Sequence, residues 1–562
     1  MHRTCTGGWV IALLLSVANL GATSGNFALA DVSRVDRESV ETLLQQQRDV
    51  NAPEADGMTP LHWAVRQDDL VTADRLIRAG ANVNAATRFG VTPLTLACTN
   101  GMAAMIEKLL KAGADANTAL PEGETALMAA ARTGKVDALK VLLAHGANVN
   151  TQEGWRGQTA LMWSAAENHT AAMQLLIKAG ADVHARSKGG FTPLLFAARA
   201  GHLAGARVLL AAGATANDKV QPAVPTGVVR QGAGTDVGTD GSTGVALAII
   251  NAHYELAILL LNSGADPNAP DPRGSLLHSL AWMRRPGVGS APPPRPTGTA
   301  ESLDVARVLL ERGAKPNVRI AWKERRVTNL RSEVQMPANI SIGRNYISFV
   351  GATPFYLAAK HSDVAFMHLL VAHGADPLIP TVQGITPLMA AAGVAYWDGE
   401  SAGPESGVSE SESLEAVKLA VKLGNDVNAV ADFGDVKVEG EPRFLILNNA
   451  LNLETQPEPS MGDMRFSGST PLHGAAVRGV PAIVQFLVDK GARLDAKNKL
   501  GWTPLTIAEG AFFAQTFKES PATAALLRQL MTDQGLDPAQ SMICEICGKR
   551  RAATQSKEKL QQ

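Results

Sequence analysis

The chain has 562 residues, of which 46% are hydrophobic and 19% are charged, a composition typical of a folded protein. Lys and Arg (52) nearly balance Asp and Glu (53), and the formal net charge of −1 gives no support to general attraction to nucleic acids or anionic membranes. Only 4 cysteines are present, which excludes a disulfide-stabilised scaffold.

The first thirty residues predict an export signal. An apolar run at Val10–Ala18 follows a weakly basic start, and Ala28-Leu29-Ala30 supplies the small residues of a cleavage site. The alternative is an uncleaved N-terminal membrane anchor, but polar residues within 19–26 interrupt the ~20 apolar residues that a membrane span requires. We therefore expect cleavage before Asp31 and export to a periplasm or out of the cell.

A short motif, Thr-(Pro/Ala)-(Leu/Phe), recurs along the chain. It begins at Thr59, Thr92, Thr125, Thr159, Thr192, Thr353, Thr386, Thr470 and Thr503. Within uninterrupted stretches the motifs are 33 or 34 residues apart, and most units end in Gly-Ala. A fixed period of this length predicts a stacked array of small helical units rather than one globular core.

The first clear unit, at residues 57–84, shows how each repeat is built. Thr59 is a good helix N-cap, and Pro60 suits the first helical position because no N–H donor is needed there. Apolar residues at helical spacing in 70–77 predict a second helix, which Gly80 ends. Such a helix pair cannot cover its own apolar surface, so neighbouring units must stack on it.

These units closely resemble the ankyrin repeat family, and the resemblance covers about residues 57–533. It implies an all-α repeat solenoid of helix pairs with projecting β-hairpin fingers. By this pattern we expect about eleven units, nine clear and two degenerate, with the degenerate units at 243–268 and 274–317. Capping half-units are expected at both ends, the C-terminal one within 511–531. The resemblance also implies a concave surface, lined by fingers and first helices, that binds another protein.

We predict five regions along the chain. They are a signal peptide at 1–30, an N-terminal capping half-unit at 31–56, uninterrupted repeats at 57–214, repeats with inserts at 215–535, and a C-terminal tail at 536–562. The inserts are 215–243, 284–300, 318–350, 394–413 and 430–467, of which the second and fourth separate the two helices of a unit and the others lie at fingers. Long loops on a rigid scaffold often carry function, although tolerated disordered insertion is left open.

Candidate partner-binding residues come from the fingers and from one charged insert. Residues 319–344 hold six basic and two acidic side chains, whereas 394–415 hold six acidic side chains and no basic one. The basic insert either contacts an acidic partner or pairs with the acidic insert. The resemblance adds finger positions, and the whole candidate set is Arg88, Phe89, Trp155, Arg156, Lys188, Trp322, Lys323, Arg325, Arg326 and Lys499. The alternative for each is an exposed loop side chain with no partner.

Two further sets occupy equivalent places on the first helices. Cations stand seven residues after the opening threonine at Arg66, Arg132, Arg199 and Lys360, where they suit an acidic partner, although the family commonly carries Arg there. Aromatic residues stand four residues after it at Trp63, Trp163 and Phe196. We interpret these aromatic residues as core between neighbouring units.

The residues that resemble catalytic or metal-binding groups have structural interpretations. In the resembling family the motif histidine, here His62, His278 and His473, makes hydrogen bonds that hold the loop together. Cys98 is expected to be a small buried residue. Cys544 and Cys547 form a CxxC pair, but Gly548 stands where haem attachment needs histidine, and zinc would need two more ligands. A local disulfide, or a metal site shared between two chains, remains.

The predicted function is therefore an exported scaffold for protein–protein interaction, without catalytic residues, cofactor or nucleic-acid partner. We expect a monomer, with a dimer through the cysteine tail as the alternative. Three other functions stay open at this point. They are a redox- or metal-linked accessory acting through Cys544 and Cys547, an enzyme with its site in the inserts, and a small-molecule receptor with a pocket near 318–350 and 430–467.

Overall fold

The computed structural model describes residues 49–221, 241–271, 274–285, 294–321, 349–394, 408–432, 467–499, 501–510 and 519–542. In these ranges the chain forms twenty-two α-helices and no extended strand, apart from isolated bridges. The helices form eleven consecutive pairs, each a first and a second helix, which we number as units 1 to 11.

Units 1 to 5 contain α1 Pro60–Arg66, α2 Leu70–Arg78, α3 Pro93–Asn100, α4 Ala103–Lys111, α5 Ala126–Arg132, α6 Val136–Ala144, α7 Ala160–Ala166, α8 Thr170–Lys178, α9 Pro193–Ala200 and α10 Leu203–Ala211. Units 6 to 11 contain α11 Gly244–Ile250, α12 Tyr254–Asn262, α13 Leu276–Arg284, α14 Ser302–Glu311, α15 Pro354–Lys360, α16 Val364–Ala372, α17 Pro387–Ala392, α18 Glu410–Lys422, α19 Pro471–Arg478, α20 Pro481–Asp489, α21 Pro504–Ala508 and α22 Pro521–Asp533.

The opening threonine caps most first helices as its sequence position predicts. In α3, the Thr92 hydroxyl accepts a hydrogen bond from the backbone N–H of Thr95 at 3.2 Å, and Pro93 takes the first helical position. The two degenerate units lack the proline but keep the cap, since Thr243 begins α11 and Ser275 begins α13 in the same way. A side-chain hydroxyl therefore caps the first helix even in the two units that lack the full motif.

The eleven units form one continuous two-layer stack. Each first helix contacts the first helix of the next unit, and each second helix contacts the next second helix, from unit 1 to unit 11. Leucine and alanine side chains fill the space between the layers, as with the fully buried Leu61 and Leu76 of unit 1. The predicted repeat solenoid is confirmed, and the inserts interrupt the sequence without interrupting the stack.

Asparagine side chains link the end of one unit to the next, and we call this series the asparagine ladder. Asn84 donates from Nδ2 to the carbonyl of Gly113 at 3.0 Å and accepts at Oδ1 from the N–H of Asp115 at 2.9 Å. Equivalent pairs of bonds are made by Asn51, Asn117, Asn150, Asn217, Asn268, Asn317 and Asn428. His184 and Leu378 occupy ladder positions without these bonds to the next unit.

The fingers between units are tight hairpin turns with isolated bridges rather than paired strands. In the finger between units 1 and 2, the N–H of Thr87 donates to the carbonyl of Val91 at 3.0 Å, and Gly90 takes a left-handed φ of 75°. Neighbouring fingertips are joined by backbone bonds, for example from the N–H of Lys188 to the carbonyl of Arg156 at 2.8 Å. Each such bond fixes the two fingertips that it joins.

Several sequence predictions fall outside the described residues and stay predictions. They concern the export signal at 1–30, most of the N-terminal half-unit, the insert residues Trp322, Lys323, Arg325 and Arg326, and the cysteine pair Cys544 and Cys547. The predicted C-terminal cap at 511–531 is described only in part, and its described portion belongs to α22, the second helix of unit 11. Among the described helices, none has the length and apolar character needed to cross a membrane.

Candidate functional site

The outward side of the first helices, together with the fingertips, forms one surface that we call the first-helix face. In α1 the side chains of Leu61 and Val65 are buried in the stack, whereas Arg66 is exposed and Trp63 is half-buried on the outward side. The same spacing recurs in each unit because the repeat is regular. In units 1 to 5 no insert interrupts this face.

Arginine side chains stack on aromatic rings along the first-helix face. The guanidinium carbon of Arg66 lies 5.2 Å from the ring centroid of Trp63, and that of Arg132 lies 5.4 Å from Trp163 in the next unit. Arg199 stacks similarly on Phe196 at 5.6 Å. Such cation–π contacts hold the charged side chains against the surface and restrict their conformations.

The structure confirms only some of the positions predicted for the cationic and aromatic residues of the first helices. Phe196 is buried, as predicted for core, but Trp63 and Trp163 are half-buried and are covered by arginine instead of by the next unit. Among the predicted cations, Lys360 is not on the surface at all. It is buried and lies 5.9 Å from the ring of Phe349.

Two fingertips present large exposed aromatic residues beside arginine. Phe89 is 49% exposed with Arg88 stacked at 4.7 Å, and Trp155 is 71% exposed with Arg156 stacked at 4.6 Å. These four candidates from the sequence form two matched pairs, separated by the one intervening finger at 119–124. Tryptophan and arginine are both enriched at protein interfaces.

The loop that carries Trp155 is held by a buried carboxylate. Glu153 accepts hydrogen bonds from the backbone N–H groups of Trp155 at 2.6 Å, Arg156 at 2.8 Å and Gln158 at 2.9 Å. Charge-assisted bonds of this kind fix a loop more strongly than neutral ones. Sequence reasoning missed Glu153, although an acidic residue directly before a Gly-Trp-Arg-Gly turn is a signal that could have found it.

The two remaining described candidates lie apart from each other. The Lys188 ammonium donates to the carbonyl of Gly154, so this residue belongs to the same cluster as Trp155 and Arg156. Lys499 lies in the finger between units 10 and 11, where its ammonium contacts Asp432 at 3.1 Å. The structure therefore brings together Trp155, Arg156 and Lys188, and it leaves Lys499 far along the stack.

The motif histidines are structural, as predicted. The N–H of Thr59 donates to His62 Nδ1 at 3.1 Å, so the ring carries its proton on Nε2, which donates to the carbonyl of Val91 at 3.0 Å. His473 makes the same pair of bonds with Thr470 and with the carbonyl of Trp502. His278 reaches the carbonyl of Ala352 at 3.1 Å, across an insert.

Within the described ranges, no three or more histidine, cysteine, aspartate or glutamate side chains are gathered so as to hold a metal ion. Cys98 is fully buried as predicted, and burial raises the pKa of its thiol, which keeps it unreactive.

On the rim opposite the fingers, two ion pairs join units of the second half of the stack. Arg284 makes two hydrogen bonds to the buried carboxylate of Asp363, at 2.6 and 2.8 Å. Arg285 contacts Glu412 at 2.7 Å, and thus joins unit 7 to unit 9 through described residues of the inserts predicted at 284–300 and 394–413. Arg319, at the start of the basic insert, instead donates to the carbonyls of Gly351 and Pro380 on the finger side. The described ends of the basic and acidic inserts therefore lie at opposite ends of the units.

Comparisons with known proteins match the repeat pattern. A family model described as "Ankyrin repeats (3 copies)" matches residues 29–119, 67–153, 100–187 and 127–220, and one described as "Ankyrin repeat" matches 350–382 and 467–499. The human B-cell lymphoma 3 protein is 32% identical over 102 residues, which are 17% of this chain and 22% of that protein. The match thus spans about a fifth of the length of this relative.

Proposed function

The chain belongs to the ankyrin repeat family, and we propose that it is a scaffold that binds another protein through the first-helix face of units 1 to 5. Ankyrin repeats generally mediate protein–protein interaction. The observation that carries the proposal is the Trp155 side chain, 71% exposed on a loop held by Glu153.

The chemistry of this surface fits a protein partner. Tryptophan and arginine are among the residues that most often dominate the binding energy of protein interfaces. Tryptophan buries a large area with few rotatable bonds, and the planar guanidinium of arginine makes several hydrogen bonds. Trp155 with Arg156, and Phe89 with Arg88, supply two such anchors on alternate fingers. The intervening finger, with Glu122 at its tip, lies between them.

Preorganisation supports the same conclusion. The stacked arginines and the backbone bonds between neighbouring fingertips already restrict the side chains that a partner would contact. A partner that binds such a surface orders few additional groups, so more of the contact energy appears as affinity. Ankyrin scaffolds are typically non-enzymatic, which favours a binding role over a catalytic one.

Site-specific photo-cross-linking tests the proposal. We would place p-benzoylphenylalanine at Trp155 or at Phe89 in cells of the organism that makes the protein, and identify the cross-linked species by mass spectrometry. We expect both positions to capture the same protein, because both fingertips contribute to one face. The matched control is Val71, which is 44% exposed but lies on the second helix α2.

The control decides between specific and general contact. Capture of the same species at equal yield from Val71 would contradict a role for the first-helix face, and so would failure to capture any protein from both Trp155 and Phe89.

A further inference from the structure

Two tryptophans occupy the same place in different units, but among the described residues the indole N–H of only one of them has an acceptor. Trp63 in unit 1 and Trp163 in unit 4 each stand four residues after the capping threonine, Thr59 or Thr159. Both rings are half-buried on the first-helix face, and both are covered by an arginine. The internal repeat therefore offers a direct comparison of the two sites.

In unit 1 the indole N–H has an acceptor within the chain. Trp63 Nε1 donates to Glu54 Oε1 at 2.9 Å, and Glu54 stands five residues before Thr59. In unit 4 the finger is one residue longer, and the residue at the same place is Glu153, whose N–H bonds to the carbonyl of Gln158 as that of Glu54 bonds to Met58. The Glu153 carboxylate instead accepts from the backbone of its own loop. Trp163 Nε1 is buried, and no atom of the described residues accepts its hydrogen bond.

A second unpartnered donor lies against the same ring. The Arg132 guanidinium stacks over Trp163, and its Nη2 contacts Glu124 Oε1 at 3.1 Å, but its Nε is buried without an acceptor. Buried donors that lack an acceptor are destabilising and are rare in native proteins. Two of them beside each other make this position a candidate for an acceptor from outside the described residues.

The nearby carboxylates of the chain are already engaged. Glu153 is buried and accepts from three backbone N–H groups of its own loop. Glu124 pairs with Arg132, and burial raises the pKa of Glu124 while the arginine opposes that rise. The basic side chains of the same loop cluster are Arg156 and Lys188.

We propose that the position between Trp163 and Arg132 binds the carboxylate of an aspartate or glutamate side chain of the partner protein. Glu54 shows which acceptor this place in the repeat takes, since it supplies a carboxylate to the equivalent indole. A carboxylate also suits Arg132, because charge-assisted bonds to a guanidinium are about twice as strong as neutral ones. The Arg132 side chain is 18% exposed. When it turns away from the indole ring, the carboxylate reaches both donors.

The site deepens the proposed function and rests on it. The exposed Trp155 lies in the finger that precedes α7, the helix of Trp163, so a partner that covers this fingertip also meets the first-helix face of unit 4. The partner is therefore expected to carry an acidic side chain beside the residue that packs on Trp155.

Indole NMR on the full-length chain tests the site directly. The protein would be labelled with ¹⁵N-tryptophan and titrated with a peptide carrying glutamate at alternate positions, and then with its glutamine twin. We expect the indole N–H signal of Trp163, assigned with W163F, to shift with the glutamate peptide, and that of Trp63 to stay in place because Glu54 already occupies it. An unmoved Trp163 signal, or an equal shift with the glutamine twin, would overturn the carboxylate assignment.

Variants give an independent measure of the affinity of the same peptide. W163F keeps an aromatic ring but removes the donor, and we expect about tenfold weaker binding. W63F is the matched control and should bind as the wild type does.

Equal binding by W163F and the wild type would contradict the site. If the peptide fails while cross-linking from Trp155 still captures a partner, the carboxylate site is wrong and the scaffold function stands.

Discussion

His62, His278 and His473 show at the residue scale how the repeat depends on one protonation state. For His62 and His473, a backbone N–H donates to Nδ1, so only the neutral ring with its proton on Nε2 satisfies both partners. Burial lowers the pKa of His278 and of His473 to about 4, from an ordinary value of 6.5. Protonation would place a charge in the stack and remove an acceptor.

This dependence predicts a loss of stability in acid. Because the folded-state pKa lies below the unfolded value, the stabilisation is complete above about pH 6.5 and is lost as the pH falls toward 4. We expect the free energy of unfolding, measured by urea titration, to fall over this range by an amount on the order of 1–3 kcal/mol for each histidine. The fall should be smaller in the H278Q/H473Q variant, whose amides do not titrate. An equal fall in the variant and the wild type would contradict this role.

The sequence predicted the histidines correctly, but it predicted the neighbouring aromatic residues only in part. The motif fixes His62 relative to Thr59, so its bonds follow from local spacing alone. The cover on Trp163 comes instead from Arg132, in the preceding unit, and its indole N–H lacks an acceptor among the described residues because Glu153 bonds to its own loop. Such contacts depend on how two units lie against each other, which the period of the sequence does not specify.

At the scale of elements, the asparagine ladder explains how successive units are held in register. Each asparagine satisfies the carbonyl of the closing glycine of the next unit and an N–H two residues later, as Asn84 does with Gly113 and Asp115. These groups stand at the end of a second helix, where backbone partners are scarce. Where the ladder position holds His184 or Leu378, the side chain does not make these two bonds.

The interrupted ladder predicts a stabilising substitution. H184N restores the side chain found in the equivalent position of units 1 to 3, and we expect it to raise the free energy of unfolding by about 0.5–1.5 kcal/mol. The measurement is urea unfolding, with H184A as the control for loss of the imidazole. N84A should have the opposite effect and similar size. A neutral H184N together with a neutral N84A would show that the ladder does not contribute to stability.

The degenerate units and the fingers show how well the secondary structure could be predicted from the sequence. Units 6 and 7 were located from their Gly-Ala endings alone, and the caps at Thr243 and Ser275 account for their helices. The fingers were expected as β-hairpins, yet each described finger closes with few backbone bonds, as between Thr87 and Val91. So short a loop turns before two strands can pair.

At the scale of the whole molecule, contacts across the inserts make eleven units one stack. Asn217 bonds to Gly264, Asn317 to Gly374 and Asn428 to Gly491, and each pair spans a gap in the described chain. The repeat period predicted the units on both sides of every insert. The expected repeat solenoid implied that these units would stack, and the contacts across the inserts confirm it.

The claim that the stack is continuous is tested most directly by distances between spin labels. Arg78, Ala211 and Lys422 are the exposed last residues of α2, α10 and α18, in units 1, 5 and 9. The 78–211 pair spans four steps without an insert, and the 211–422 pair spans four steps across the inserts. Helix stacking at 8–10 Å a step gives roughly 35–40 Å for both pairs.

Double electron–electron resonance on cysteine variants at these positions, with the native cysteines replaced, would measure both distances. We predict two narrow distributions with the same mean. A broad or clearly different distribution for the 211–422 pair, beside a narrow one for the 78–211 pair, would contradict a single continuous stack.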